Sequence, residues 1–246
     1  MSVSVIMPYF RKKEFINDSL NSVFNQSYKD FEIIIIYDDD NLEDYYHLKD
    51  FQKKNNKIKI IKNHLNRGVA YSRNVGIKES SGDLIAFLDC DDIWKENKLE
   101  TQINFMREKN VDISFTGYEI IDSLNNIIGK RPAKAIIDFN DLIKSCDIGL
   151  STVIIKKSLL NENIKFGSLK TKEDYVLWLN LAKKNYKFYG INLFLTKWRK
   201  LDNSLSSSTL QKLFDGFRVY NKYLKYNKFL SIFCLIRLSL NYLLKK

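Results

Sequence analysis

Two apolar runs in this chain end abruptly in carboxylates. Leu84-Ile85-Ala86-Phe87-Leu88 is followed by Asp89-Cys90-Asp91-Asp92, and Ile33-Ile34-Ile35-Ile36 is followed by Tyr37-Asp38-Asp39-Asp40. Asp89 and Asp91 are two apart, so in extended backbone both carboxylates point to one side and Cys90 to the other. Carboxylates crowded this way repel unless a cation or a proton sits between them. A small number of hard oxygen ligands suits Mg²⁺ or Mn²⁺, with the remaining positions left to water and phosphate. The competing reading is a solvated acidic turn that caps the next helix.

The runs read as strands buried on both faces, as in a parallel sheet covered by helices. In open α/β sheets ligands bind beyond the carboxyl ends of the strands, which is where both acidic clusters fall. Ser4 to Met7 is a first short strand, stopped at Pro8. Glu14 to Asn25 carries a helical apolar face of Phe15, Ile16, Leu20, Val23 and Phe24. Leu42 to Asn56 reads as a helix with a charged outer face, and Lys57 to Ile61 as a strand nearer the sheet edge. Asn66-Arg67-Gly68 opens a helix through about Glu79. The pattern up to Asp92 is therefore β-α-β-α-β-α-β, with right-handed crossovers. Beyond it come a helix over Lys98 to Lys109, a strand over Asp112 to Tyr118, and a hairpin or loop around Asn125-Asn126 and Gly129. Next are a strand over Ser151 to Ile155, a helix over Glu173 to Lys184 and a last strand over Leu193 to Trp198. The serine-rich stretch Asn203 to Ser208 reads as a mobile loop.

With 246 residues the chain is long enough to bury roughly 70–75% of its unfolded surface. A formal net charge of +11 favours an acidic partner such as phosphates or an anionic membrane. Lysine is spread along the chain rather than clustered, so no nucleic-acid partner is expected. Cys90, Cys146 and Cys234 are far apart, which offers neither a zinc pattern nor a disulfide framework and fits a reducing compartment. Val3 to Met7 is too short for a signal peptide, and no segment reaches the ~20 apolar residues that span a bilayer. His47 and His64 have no partner spacing for metal or catalysis.

From about Leu210 the pattern changes. Phe214, Phe217, Val219 and Tyr220 suggest a helix, and Phe229 to Leu244 is a second apolar stretch with Arg237, Lys245 and Lys246. It suits the plane of a membrane interface, or equally a helix docked on the protein or on a second copy.

Several stretches, in order, carry a family resemblance. Ser4-Val5-Ile6-Met7-Pro8, Asn25-Gln26-Ser27-Tyr28-Lys29-Asp30-Phe31-Glu32 and Asn66-Arg67-Gly68-Val69-Ala70-Tyr71-Ser72-Arg73-Asn74-Val75-Gly76 come first. Phe87-Leu88-Asp89-Cys90-Asp91-Asp92-Ile93-Trp94 and Glu173-Asp174-Tyr175-Val176-Leu177-Trp178 follow. Together they resemble a family 2 glycosyltransferase, from Ser2 to about Ser208. Two departures stand out: Phe10-Arg11 replaces the family's usual Tyr-Asn, and Tyr37-Asp38-Asp39-Asp40-Asn41 replaces its Asp-Asp-Gly-Ser turn.

The resemblance implies a GT-A fold: α/β, with a Rossmann-like, mostly parallel central sheet flanked by helices, and here a C-terminal helical extension. It implies a domain over residues 1–209, with a nucleotide-sugar half over 1–116 and an acceptor half over 117–209, and an amphipathic extension over 210–246. The implied reaction is inverting transfer from a nucleotide sugar, usually a UDP-sugar, to a hydroxyl of a glycan or polyprenyl-linked acceptor in capsule or O-antigen assembly. Asp89 and Asp91 would hold Mn²⁺ or Mg²⁺, with Cys90 between them in the donor-binding motif. Pro8, Phe10 and either Asp38 or Asp39 would fix the base and ribose. Arg73 would reach the diphosphate, its alternative being a surface arginine, and Trp198-Arg199 would serve the donor phosphates or a lid. Asp174 matches the general base and Glu173 stands beside it. Their alternative is a capping box with Thr171 as N-cap. The implied location is the cytoplasmic face of the inner membrane, with peripheral contact through 229–246. A haloacid-dehalogenase-like phosphohydrolase also places D-x-D after a strand, but near the N-terminus. A non-catalytic membrane-associated nucleotide-binding protein would not need both acidic clusters.

Overall fold

The computed structural model describes residues 1–201 and 208–244. The serine-rich stretch, apart from Ser208, lies outside the described residues, as do Lys245 and Lys246.

Among the described residues one ten-stranded sheet organises the chain; eight of its strands, numbered in chain order, run β3-β2-β1-β4-β9-β6-β10-β5, with β7 on β6 and β8 on β10 off this path. The first half is parallel: β1 (Val3–Tyr9) lies between β2 (Phe31–Tyr37) and β4 (Leu84–Phe87), and β3 (Ile58–Lys62) forms the edge. The four isoleucines of β2 are fully buried. Both sheet faces are covered, so the run needs no polar alternation. On one face α1 (Lys13–Phe24), α2 (Leu42–Lys54) and α4 (Lys98–Lys109) pack against Val5, Met7, Ile33 and Ile35. On the other, α3 (Val69–Glu79) and α6 (Glu173–Lys183) pack against Ile6, Ile34, Ile36 and Phe87.

The second half departs from a simple parallel sheet. β9 (Ile154–Lys156) runs antiparallel to both β4 and β6 (Ile113–Ile121), while β10 (Phe188–Arg199) returns parallel to β6. The hairpin expected around Asn125 forms, with β7 (Ile127–Arg131) against β6 and Asn125 in the left-handed region at φ 70°. Two very short strands, β5 (Ile93–Trp94) and β8 (Ile136–Ile137), pair with β10, and a single turn of helix, α5 (Phe139–Leu142), follows β8.

Several expected boundaries move: β10 begins at Phe188 rather than Leu193, and β6 runs on to Ile121 rather than ending at Tyr118. Pro8 does not stop β1, which runs on through Tyr9 beside Ile36 and Tyr37. Tyr9 turns its carbonyl to Asp38 on the β2 side, so Pro8 faces the β4 side. There pairing has ended at Phe87, and the missing N–H leaves no ladder bond unmade. Ser151 and Thr152, expected in a strand, lie in a 3₁₀ turn over Leu150–Thr152.

The C-terminal segment consists of α7 (Thr209–Arg218), a π turn over Val219–Tyr223 and α8 (Lys228–Leu243). Ser208 caps α7 by accepting from Gln211 N–H at 3.3 Å. Val219, Tyr220, Leu224, Cys234 and Leu238 join the same core as Tyr175 and Trp178. Among the described residues no helix is long and apolar enough to cross a membrane.

Lys98 is an uncompensated feature of this scaffold. It is fully buried at the start of α4, and its Nζ lies 4.1 Å from the Trp94 ring centroid with no hydrogen-bond partner. Burial pushes its pKa well down. A lysine whose folded pKa lies below its unfolded value costs stability while the unfolded chain holds the proton more tightly. That cost fades as pH rises to the ordinary lysine range. We expect Lys98→Met to stabilise the fold by about 1–3 kcal/mol near neutral pH. The gain should shrink when denaturant unfolding is repeated at about pH 9.5; equal gains at both pH values would count against the account.

Candidate active site

The turn after β4 is locked before any ligand is considered. Asp92 N–H donates to Asp89 O at 3.0 Å. Ser151 Oγ accepts from Asp89 N–H at 3.2 Å and donates to Asp92 Oδ2 at 2.6 Å. Arg199 N–H gives Asp92 Oδ1 a further bond at 2.9 Å. Asp92 is thus buried and used inside the turn, and burial with the charges of Asp91 and Asp89 pushes its carboxyl well up. Asp89 to Asp92 form a turn rather than the extended backbone expected from their spacing, because the Asp89–Asp92 bond and Ser151 bend the chain after β4, and the Cys90 thiol donates to Pro8 O at 3.2 Å.

Asp89 and Asp91 remain accessible, with side chains 34% and 15% exposed. Burial, then the charge of Asp89, pushes the Asp91 carboxyl up. That is the electrostatic state of a place that favours an added cation. Lys12 Nζ meets Asp91 Oδ2 at 2.7 Å and Arg73 Nη2 meets Asp89 Oδ1 at 2.6 Å. Among the described residues no group of three or more His, Cys, Asp or Glu side chains could hold a metal. The two carboxylates fit an octahedral ion that takes its other ligands from water and phosphate. Lys12 is absent from the sequence expectations, because nothing in the basic run Arg11-Lys12-Lys13 singles out one cation as the partner of Asp91.

Arg73 joins two acidic clusters. Its side chain is 3% exposed, and it forms ion pairs with Asp89 and, through Nη1, with Glu173 Oε1. Although burial works against its charge, these carboxylates hold it firmly protonated. Its plane lies against Phe166, 5.4 Å to the centroid. It is therefore not the surface arginine of the competing reading. Burial pushes Glu173 up to about 7 against the opposing charge of Arg73, and Asp174 adds to the rise.

Asp174 sits beside this pair at the start of α6. The capping-box alternative does not form: Lys172, at φ 62°, is the N-cap residue with no side-chain cap bond, and the Thr171 hydroxyl binds Asp215. Asp174 Oδ1 accepts from Tyr175 N–H at 2.7 Å. Burial pushes its carboxyl above the ordinary aspartate value, and it is more exposed than Glu173. A partly exposed carboxylate with a raised pKa is suited to accept a proton.

At the other end of the site, Asp38 and Asp39 have different surroundings. Asp38 is buried and accepts from Asn63 Nδ2 at 2.6 Å, Arg67 N–H at 2.9 Å and Gly68 N–H at 2.7 Å, so it pins the loop that opens α3. Asp39 accepts from Arg11 N–H at 3.1 Å and lines a cavity of about 430 Å³ with Arg11, Lys13, Asp40 and Asn41. Phe10, 41% exposed, stacks under Arg11 beside it. Trp198 is half-buried against the edge of Tyr118. The Arg199 guanidinium is buried and donates to Asp91 O, Asp122 O, Ser123 O and Asn125 Oδ1, which ties the β6–β7 turn to the acidic turn.

The family model described as Glycosyl transferase family 2 matches residues 4–164. The chain is 38% identical over 212 residues to the Escherichia coli UDP-Glc:alpha-D-GlcNAc-diphosphoundecaprenol beta-1,3-glucosyltransferase WfgD, covering 86% of this chain and 82% of that protein. It is 31% identical to the putative teichuronic acid biosynthesis glycosyltransferase TuaG of Bacillus subtilis, covering 99% and 97%. S. aureus TarS 1–349 in complex with UDP-GlcNAc superposes with a TM-score of 0.76 at 19% identity, covering 96% of this chain and 70% of that one. The mannosyltransferase PcManGT from Pyrobaculum calidifontis, in complex with GDP-Man and Mn²⁺, gives 0.69 at 12%, covering 92% and 65%. These overlaps establish the GT-A fold.

The Arg73 bridge makes a direct stability prediction. Arg73→Met leaves Glu173 and Asp89 without their cation and should cost about 3–5 kcal/mol near neutral pH. Glu173 would then titrate still further above its unfolded value, and a carboxyl with a raised folded pKa contributes stability that is lost as pH rises. The deficit relative to wild type should therefore narrow as pH falls from about 8 to about 5. Urea unfolding at both pH values checks this, and a deficit that widens at low pH would contradict it.

Proposed function

The chain belongs to glycosyl transferase family 2, and on that premise we propose that it is an inverting enzyme. It moves a sugar from a UDP-sugar to a hydroxyl of a polyprenyl-diphosphate-linked glycan in surface-polysaccharide assembly. Family membership sets aside the phosphohydrolase alternative. The observation that carries the reading is the Arg73 bridge, which brings the Asp89–Asp91 turn and the Glu173–Asp174 pair to one place. The WfgD name, with its UDP-Glc donor and diphosphoundecaprenol acceptor, and the teichuronic acid role in the TuaG name support the donor and acceptor classes.

Inversion needs a single in-line displacement. The acceptor oxygen bonds to the anomeric carbon as the bond from that carbon to the diphosphate oxygen breaks, and the acceptor's proton passes to Asp174. Its position in the first turn of α6, where the helix dipole favours the ionised form, supports this role for Asp174. Glu173 keeps Arg73 in position. Mn²⁺ or Mg²⁺ held by Asp89 and Asp91 would neutralise the leaving diphosphate when bound. Asp38 is spent on Asn63 and the Arg67–Gly68 backbone, whereas Asp39, itself buried and bonded to the Arg11 and Asp40 N–H groups, lines the cavity beside Arg11, which supports assigning the base to the Asp39 side. Acceptor contacts fall in the segment from Gly117 to Lys172.

The test is Asp174→Asn, which preserves size but cannot take the proton. Sugar transfer should fall by roughly 10²–10⁴-fold, while protection of the fold by UDP with Mn²⁺ stays at the wild-type level. The acid limb of the wild-type rate profile should lie above the ordinary aspartate range, because burial raises the Asp174 pKa and the base must be ionised. Transfer within a few-fold of wild type in Asp174→Asn would remove Asp174 as the base.

We assign the protein to the cytoplasmic face of the membrane, and the exposed apolar residues of the C-terminal segment support contact with a membrane surface. Phe229, Ile232, Phe233, Ile236, Leu240 and Leu243 are exposed along α8, Phe229 by 88%, and Leu210 and Phe214 are exposed on α7. The spacing of the α8 residues makes one stripe. Exposed Lys228 and Arg237 lie on the same helix, and each cation near an anionic surface adds about 1 kcal/mol. Deleting α8 would also strip Cys234 and Leu238 from the core, so substitution is the cleaner experiment. Wild type should co-sediment with vesicles containing anionic phospholipid at low salt, and Phe229→Glu/Phe233→Glu should bind at least about tenfold more weakly with an unchanged melting temperature. A wild-type protein that ignores such vesicles would rule the surface out.

A further inference from the structure

The segment that leads into the catalytic helix is held from the far end of the chain. Thr171 donates both its N–H and its hydroxyl to Asp215 Oδ2, each at 3.0 Å. Gln211 Nε2 reaches the same oxygen at 2.9 Å, and Arg218 Nη1 reaches Oδ1 at 3.4 Å. Asp215 is wholly buried in α7. Burial opposes its charge, but the Gln211 and Thr171 donors hold the carboxyl below the usual range.

The turn it holds is an unusual one. Lys172, between Thr171 and Glu173, adopts φ 62°, a region that costs a non-glycine residue energy unless its surroundings impose it. α6 has no side-chain N-cap of its own. What imposes the turn is the C-terminal segment. A Cβ on Gly216 would lie 2.7 Å from Leu235 Cδ1 and 3.6 Å from Lys172 Cε, so α7, α8 and the Lys172 stem come together at this glycine. Ser168 N–H adds a second tie, to the Tyr223 hydroxyl at 3.2 Å.

We infer that Asp215 is a positioning residue for sugar transfer: by fixing the Thr171–Lys172 turn it aims Asp174 at the acceptor hydroxyl. The inference rests on the reading of Asp174 as the base. Asp215 touches neither donor nor acceptor. Its effect is geometric, and a displacement of about 1 Å at a reacting group can cost 10²-fold in rate.

The experiment measures kcat, donor KM and melting temperature for Asp215→Ala, Asp215→Asn, Thr171→Val and a control, Leu238→Ala. Leu238 is buried in the same C-terminal segment but makes no hydrogen bond to the turn. Asp215→Ala should lower kcat by about 10- to 100-fold with donor KM within about twofold. Asp215→Asn should recover most of the rate, because its amide oxygen can accept where Oδ2 does. Leu238→Ala should lose melting temperature yet keep kcat within about threefold where it remains folded. In an Asp174→Asn background, Asp215→Ala should cost less than about threefold more, since the group it aims is gone. If Asp215→Ala does not fold, Thr171→Val, which removes one bond of the set, must show the same fall in kcat alone. The inference is overturned if the kcat loss of Asp215→Ala matches that of Leu238→Ala, if donor KM rises instead, or if the loss adds in full to Asp174→Asn. Near-wild-type transfer by Asp174→Asn alone is a separate result: it removes the base assignment, whatever the Asp215 variants do.

Discussion

A guanidinium keeps its proton at any pH a protein survives, so Arg73 is buried as a cation and must find anions. It finds Asp89, 16 residues on, and Glu173, 100 residues on. An ion of this kind costs several kcal/mol to take out of water and is tolerated only with well-placed partners. The two acidic clusters are therefore mutually constrained through it. The placement depends on α3 lying close to the sheet. A Cβ on Gly76 would fall 2.5 Å from Ile6 Cγ2 and 2.8 Å from Ile36 Cδ1, so any larger residue would lift the helix and withdraw the guanidinium. One glycine contact on β1 and β2 thus bears on the distance between the Asp89–Asp91 turn and the Glu173–Asp174 pair.

The parts that were legible in the sequence are those with a local signature. Long apolar runs gave β2 and β4, helical periodicity gave α1, α4 and α6, and carboxylates at strand ends marked the site. The short strands β5 and β8 have two residues each, too few to show a period. Ser151 looked like the start of a strand because its neighbours are β-branched. Its hydroxyl is instead committed to Asp89 and Asp92, an attraction between residues about sixty positions apart that no window of sequence contains. The same applies to Asp38 and Asp39. They are adjacent and chemically alike, and what separates them is that Asn63 and the Arg67 and Gly68 amides converge on one and not on the other.

Arg199 illustrates a different limit. The motif before the serine-rich stretch was readable as a pair, Trp198-Arg199, but motif spacing does not say which way a long side chain turns. Here each nitrogen of the guanidinium meets a protein oxygen, three of them backbone carbonyls around the acidic and β6–β7 turns. Carbonyls at loop turns lack regular partners, and an arginine fork satisfies several at once. This geometry makes Arg199 a brace between the end of β10 and the turn that carries Asp91.

The C-terminal segment looked like an appendage because its composition shifts at Leu210. A change of composition marks a change of surroundings, not a change of fold. α8 is apolar on two sides for two reasons: Cys234 and Leu238 complete the core that Tyr175 and Trp178 belong to, while Phe229, Phe233 and Ile236 face outward. A helix apolar all round reads in sequence as either buried or membrane-bound, and neither alone describes this one. The inner side belongs to the same core as α6, so the segment is built into the fold while its outer side stays open.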